Sequence, residues 1–265
     1  HVREIVTGPI IPTPGAVMEC TKLLYEYLGD LIVLDVGGAT TDLHSVTVES
    51  DQVARLMISP EPKAKRTVEG DLGVYVNRWK VVESIGEEKL REQCREQGFS
   101  MEHALETYRA IPKTEEEVKL VELLTREAVV KAAERHAGRL RYIYGPSGRS
   151  TVAEGKDLTQ VKYIVGTGGA LTRLPHREEI MREITRCNES GMLLLPGEHA
   201  QILVDHDYIM ASLGVLSKRY PQAAARLLEQ SLGITFPERK AEEPVPVCNK
   251  ELSRLETQRQ QREEE

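Results

Sequence analysis

Residues 31–42, Leu-Ile-Val-Leu-Asp-Val-Gly-Gly-Ala-Thr-Thr-Asp, constrain this chain more than any other stretch. The apolar run that ends at Asp35 is the pattern of a strand buried on both faces, which requires helices on each side of its sheet. Gly37 and Gly38 then end the strand in a tight turn. Without side chains there, the main chain can approach a ligand closely, and successive N–H groups can form a nest for anionic oxygens. Thr40 and Thr41 add hydroxyl donors. Asp35, at the strand's carboxyl end, has the chemistry to hold the hydration shell of Mg²⁺ or to orient an attacking water. A bare Gly-Gly is most simply a turn, but Asp35 and Asp42 at its two sides and the threonines inside shift the reading to an anion site.

The rest of the chain alternates between helical and strand patterns. A helix is expected over 16–27, opened by Pro14 and stopped by Gly29. Short strands at 43–48 and 52–58 read as a hairpin joined by Glu49-Ser50-Asp51. Helices follow at 70–84, 87–97 and 101–109. Thr114-Glu-Glu-Glu117 is a capping box that opens a long helix to about residue 137. Strands at 140–144, 161–165 and 200–204 and helices at 168–173, 177–186, 207–219 and 221–232 complete the pattern. Strands alternating with helices give an α/β fold with a mixed sheet flanked by helices.

The 265 residues are 40% hydrophobic, enough for a sizeable core. With 35 basic against 42 acidic residues, a net charge of −7 and no dense basic stripe, the chain lacks the footprint of a nucleic-acid binder. No window approaches the ~18 apolar residues of a membrane span. The opening run has no targeting character, and a cytoplasmic protein is expected. Cys20, Cys94, Cys187 and Cys248 lie far apart, which suits reduced thiols and neither a zinc site nor a disulfide framework. A chain that opens at His1 reads as a piece of something longer or as a processed product, and residues 236–265 read as a charged tail.

A second glycine turn, Gly166-Thr167-Gly168-Gly169, again follows a strand and opens a helix, which suits close contact with a flat ligand. Its spacing is not that of a dinucleotide fingerprint, and no P-loop is present. Three smaller features have plainer readings. Asp71 in Glu69-Gly-Asp71 reads as a helix N-cap before it reads as a ligand contact. His44 reads as a strand residue at the rim of the cleft. Asp205-His206-Asp207 reads as a cap rather than a metal pair, because sequence neighbours point apart.

Asp35-x-Gly-Gly-x-Thr-x-Asp42 resembles the second phosphate motif of the actin-like ATPase superfamily, which includes heat-shock chaperones, sugar kinases and actin. The 166–169 turn resembles its adenosine motif, and the helices beginning near residues 13 and 207 fit its two connecting elements. DVGGATTDLHSV, RTVEGDLG (66–73) and GTGGALTRLP (166–175) are more narrowly similar to the MutL/GlmL family. The similarity covers about residues 1–235, as the C-terminal half of a longer family member.

The resemblance implies an actin-like (ribonuclease H-like) lobe that binds ATP and Mg²⁺. Residues 1–30 would be a connector helix and the end of a first lobe. Residues 31–205 would be the second lobe, with a helical insertion at about 70–137, and 206–235 the second connector. Gly37, Gly38, Thr40 and Thr41 would meet the phosphates, and Gly166, Thr167, Gly168 and Gly169 the adenosine. Asp35 would be the catalytic residue and hold the metal through water. The implied activity is ATP-dependent reactivation of an adenosylcobalamin-dependent mutase. No first phosphate motif is matched here, so the chain alone is expected to be a poor ATPase. Two rivals share parts of the pattern: a hydantoinase or oxoprolinase-like hydrolase, with a similar string as its first phosphate motif, and a non-enzymatic nucleotide-binding adaptor.

Overall fold

The computed structural model describes residues 11–146 and 148–237. Its strands are β1 (Leu31–Val36), β2 (Thr41–Val46), β3 (Ala64–Glu69), β4 (Arg139–Gly145), β5 (Gly148–Glu154), β6 (Tyr163–Thr167) and β7 (Gln201–Val204). Its α-helices are α1 (Thr13–Leu28), α2 (Asp51–Ala54), α3 (Arg78–Ile85), α4 (Glu87–Glu96), α5 (Met101–Glu106), α6 (Glu115–His136), α7 (Gly168–Arg173), α8 (Arg177–Arg182), α9 (Met210–Ser217) and α10 (Pro221–Leu232). Five strands form one mixed sheet in the order β3-β2-β1-β6-β7. β2 runs antiparallel to both β1 and β3, whereas β6 runs parallel to β1 and β7. β4 and β5 form a separate antiparallel ribbon.

Period-two alternation divides β1 between two cores. Ile32, Leu34 and Val36 share one with Leu120, Leu124 and Ala128 of α6. Leu31 and Val33 share the other with Val17 and Leu24 of α1, Leu213 of α9 and Leu228 of α10. This is the helix-covered sheet that the uninterrupted apolar run demands. Each fully buried Leu or Ile contributes roughly 1.5–3 kcal/mol. The core runs on to Phe236, whose ring stacks on Tyr27 with centroids 4.9 Å apart.

The Thr114 capping box forms as expected: Thr114 Oγ1 accepts from the Glu117 amide, and Glu117 Oε2 accepts from the Thr114 amide. At the other end of α6, His136 is buried between two hydroxyls, Thr67 Oγ1 at 2.9 Å and Ser45 Oγ at 2.8 Å. Burial, reinforced by Lys65, lowers its pKa to about 3, so the ring is neutral. Cys20, Cys94 and Cys187 are free thiols. No helix among the described residues is long and apolar enough to cross a membrane. The opening run at residues 1–10, Cys248 and the charged tail beyond residue 237 lie outside the described residues.

The structure corrects three assignments. Residues 52–58 are not a strand: Ser50 Oγ accepts from the Val53 amide and starts the single turn α2, so capping chemistry overrides a weak apolar alternation. The partner of β2 is β3 instead, a polar edge strand (Ala-Lys-Arg-Thr-Val-Glu) that shows little strand signal. Residues 70–77 are a loop rather than the start of a helix, and the helix begins only at Arg78. β5 is polar as well and is legible only from its pairing with β4.

α1 and α9 cross with Gly214 seated directly on the Ala16 carbonyl, where a Cβ would overlap the oxygen. Gly214→Val is expected to cost at least ~3 kcal/mol, read as a lowered urea midpoint. A midpoint equal to that of the parent would show that the crossing has room to spare.

Candidate functional site

β1 and β6 lie side by side and parallel, so their carboxyl ends bring the two glycine turns together. Asp35 stands beside Thr167 across that pair, and Asp42 lies opposite Asp35 across the antiparallel pair. Alternation puts Asp35, Asp42, His44 and Thr167 on one face of the sheet. Arg66 joins them from β3, directly opposite His44.

The first turn is closed by the Gly37 amide, which donates to the Thr40 carbonyl at 2.9 Å. The 70–77 loop then clamps it. The Val74 amide donates to the Gly37 carbonyl, the Tyr75 and Val76 amides donate to the Gly38 carbonyl, and Asn77 Nδ2 donates to both the Ala39 and Gly70 carbonyls. Gly73 packs against the Ala39 main chain so closely that no Cβ fits. The Gly38 and Ala39 amides take no backbone acceptor among the described residues, and both residues are exposed. The second turn is fitted to the first: Gly168 has φ +86°, and a Cβ there would lie 2.5 Å from the Val36 carbonyl and 2.6 Å from Asp35 Oδ1. Only glycine satisfies both the left-handed conformation and the contact. Gly166 is held against Met181, whereas Gly169 is exposed and opens onto free space.

Several of the expected site residues turn inward. Thr41 is buried and donates its hydroxyl to the Leu72 carbonyl at 2.7 Å, and Thr167 donates to Asp205 Oδ2 at 2.8 Å. Neither hydroxyl is free as a donor to a ligand, while Thr40 is half-buried beside Asp42 and helps hold that carboxyl down. Asp71 does not cap a helix. It takes a bidentate pair from Arg135, both contacts at 2.8 Å, and the same guanidinium reaches Glu69 at 2.6 Å. The RTVEGDLG run therefore builds the floor of the first turn and ties it to α6. His44 is fully buried rather than at a rim, and neither ring nitrogen has a partner. Burial and then Arg66 hold its pKa down to about 3.

Sequence reasoning undervalued Asp205 and missed Tyr208 and Asn77. Asp205 is buried and accepts from Thr167, from Ser231 and from the Ile209 and Met210 amides at the start of α9. The capping role expected of the 205–207 run thus belongs to Asp205, while His206 and Asp207 are exposed. An Asp just past the end of a buried strand, as at Asp35, was the available signal. Tyr208 has φ +55°, the only non-glycine positive φ among the described residues. Its phenol is pushed up by burial and then by Asp35 and Asp205, so it faces the same carboxylates.

Charge concentrates at this point. Burial chiefly, then Asp42 and Asp205, raises the Asp35 pKa to about 6. Asp42 is raised by burial, against the pull of Arg66, and its Oδ1 is buried without a partner. Carboxyl groups gathered this closely repel one another and any bare anion that approaches them. No group of three His, Cys, Asp or Glu among the described residues is placed to hold a metal ion.

The raised Asp35 carboxyl has a consequence for stability. The folded chain holds this proton up to about pH 6, whereas the ordinary value is 3.8. The contribution to stability is therefore complete below about pH 4 and is lost as pH rises through about 6. Asp35→Asn is expected to stabilise the fold at pH 7.5 by roughly 1–3 kcal/mol, and to give no gain near pH 3.5. Thermal unfolding at the two pH values checks this, and a variant less stable than the parent at pH 7.5 contradicts it.

A family model described as MutL protein matches residues 1–232. Protein MutL of Clostridium tetanomorphum is 34% identical over 244 residues, covering 88% of this chain and 53% of that protein. The chain thus spans about half the length of the curated relative that it matches. With the family model matched across most of its length, the chain belongs to the MutL family.

Proposed function

We propose that this chain is the second lobe and both connecting helices of an actin-like, ribonuclease H-like nucleotide-binding fold. One observation carries the reading: two glycine turns meet at the carboxyl ends of adjacent parallel strands, fitted to each other through Gly168 and Asp35. The sheet order β3-β2-β1-β6-β7, antiparallel on one side of β1 and parallel on the other, supports it. In this reading residues 1–30 and 206–235 are the connectors and 31–205 the lobe, within a longer cytoplasmic protein.

The residues fit Mg²⁺ with ATP better than a free nucleotide. The exposed Gly38 and Ala39 amides present donors to phosphate oxygens. Asp35, Asp42 and Asp205 would repel a polyphosphate that lacked a cation, and Mg²⁺, when bound, supplies the compensating charge. Asp35 holds the ion's water shell or accepts a proton from the attacking water, a task suited to a base of pKa about 6. Gly166, Gly168 and Gly169 line the adenosine by main chain, with Thr167 fixing the turn through Asp205. Gly37 and Thr41 set the shape of the phosphate turn from within. The partner in this reading is an adenosylcobalamin-dependent mutase, which the ATP-driven factor would reactivate.

Two measurements test this. Calorimetric titration of the chain with Mg-ATP and Mg-ADP is expected to show binding that weakens at least tenfold in EDTA. Binding is expected to disappear in Gly169→Val, a position where an added Cβ meets nothing in the protein within 4 Å. Binding that ignores both the chelator and Gly169→Val would place the nucleotide elsewhere. In the longer protein, Asp35→Asn is expected to retain binding while hydrolysis falls on the order of a hundredfold or more. Unchanged turnover there would falsify the assigned role.

A further inference from the structure

The proposed nucleotide site leaves two surface features unused, and they complement each other. The first is the β4–β5 ribbon. Its base is anchored where Leu140 and Ala153 pack with Val53 and Leu194. Beyond that, residues 141–146 and 148–151 are all exposed, with Tyr142, Ile143 and Tyr144 at 48%, 51% and 80%. A two-stranded ribbon with contiguous exposed apolar residues is marginal in water and marks an interaction surface. It is also basic within an acidic chain: Arg139, Arg141 and Arg149 stand against Glu154 alone, with Arg149 4.5 Å above the Tyr142 ring.

The second feature is a groove of about 560 Å³ between α3 and α5. Trp79, Val82 and Leu105 give it an apolar floor, and Glu83, Glu87, Glu102 and Glu106 ring it. Lys80 pairs with Glu83, and Arg91 is shared between Glu87 and Glu102. Four carboxylates against two cations leave the rim negative. Trp79 is the only tryptophan in the chain and is 56% exposed.

We propose that the β4–β5 ribbon of one copy seats in the α3–α5 groove of a second copy, its Tyr142–Tyr144–Arg149 face inward, placing Tyr144 on Trp79 and Arg149 against the glutamate rim. Ribbon-to-ribbon pairing would oppose arginines, and groove-to-groove pairing would oppose glutamates, so charge selects the mixed contact. The two surfaces differ, so the association is head-to-tail, and each copy keeps one ribbon and one groove for the next. It uses no residue of the Asp35 site and stands apart from the nucleotide reading.

The test combines sedimentation velocity with Trp79 emission on the full chain over a hundredfold range of concentration. The sedimentation coefficient is expected to rise with concentration, with a parallel blue shift of the emission, and both are expected to weaken in high salt. Arg149→Glu is expected to weaken association at least tenfold, and Arg149→Glu combined with Glu106→Arg to recover it. Both positions are at the surface, so neither change threatens the fold. A chain that stays monomeric throughout overturns the proposal. So does an association that Arg149→Glu leaves unchanged, which would assign the contact to another surface, or one that Trp79→Ala leaves unchanged, which would free the groove for a different occupant.

Discussion

The contact between the Gly168 main chain and the end of β1 governs the centre of this molecule. Hydrogen bonding between parallel β1 and β6 sets the register, and the register puts Gly168 against Val36 and Asp35 at 2.5–2.6 Å from where any Cβ would stand. Everything around the site answers to that approach. Asp205 holds the β6 end from behind through Thr167 and reaches α9 and α10. The 70–77 loop holds the β1–β2 turn from the other side. The turns are thus fixed by main-chain geometry, and side chains that resemble ligand donors in the sequence are used to fix it.

That division explains what the sequence could and could not reveal. β1, α1, α6 and α10 were legible because burial on both faces, a Pro start and a capping box each leave a local trace. β3 and β5 left none, since a polar edge strand owes its conformation to its neighbour rather than to its own residues. The juxtaposition of the 37–38 and 166–169 turns was anticipated from their resemblance to known motifs. The inward use of Thr41 and Thr167 was not, because a hydroxyl in a turn reads the same whether it faces solvent or a carbonyl. Asp71 shows the same limit: its partner, Arg135, lies 64 residues away on α6.

The acidic face shows a conflict between folding and chemistry. Asp35 and Asp42 are both held above the ordinary carboxylate range by burial, and Asp42 has a bare buried oxygen. An isolated fold would do better with amides or apolar groups there. Such local inconsistency is characteristic of functional sites, where the destabilising groups are kept because they act on something else. The capping box, paired surface charges and close-packed helices elsewhere are locally consistent, so the exception stands out.

His44 and His136 give the fold an acid limit of its own. Both rings are buried and neutral, with pKa values lowered to about 3 from the ordinary 6.5. Once unfolded, either ring would take up a proton below about pH 6.5, and the folded chain offers no room for that charge. Their support for the native state is complete above that value and drains away as pH falls toward 3. Asp35 runs the opposite way between about pH 6 and 4 and offsets only part of that loss. The fold that carries the site therefore loses support toward acid pH through two rings that touch no surface.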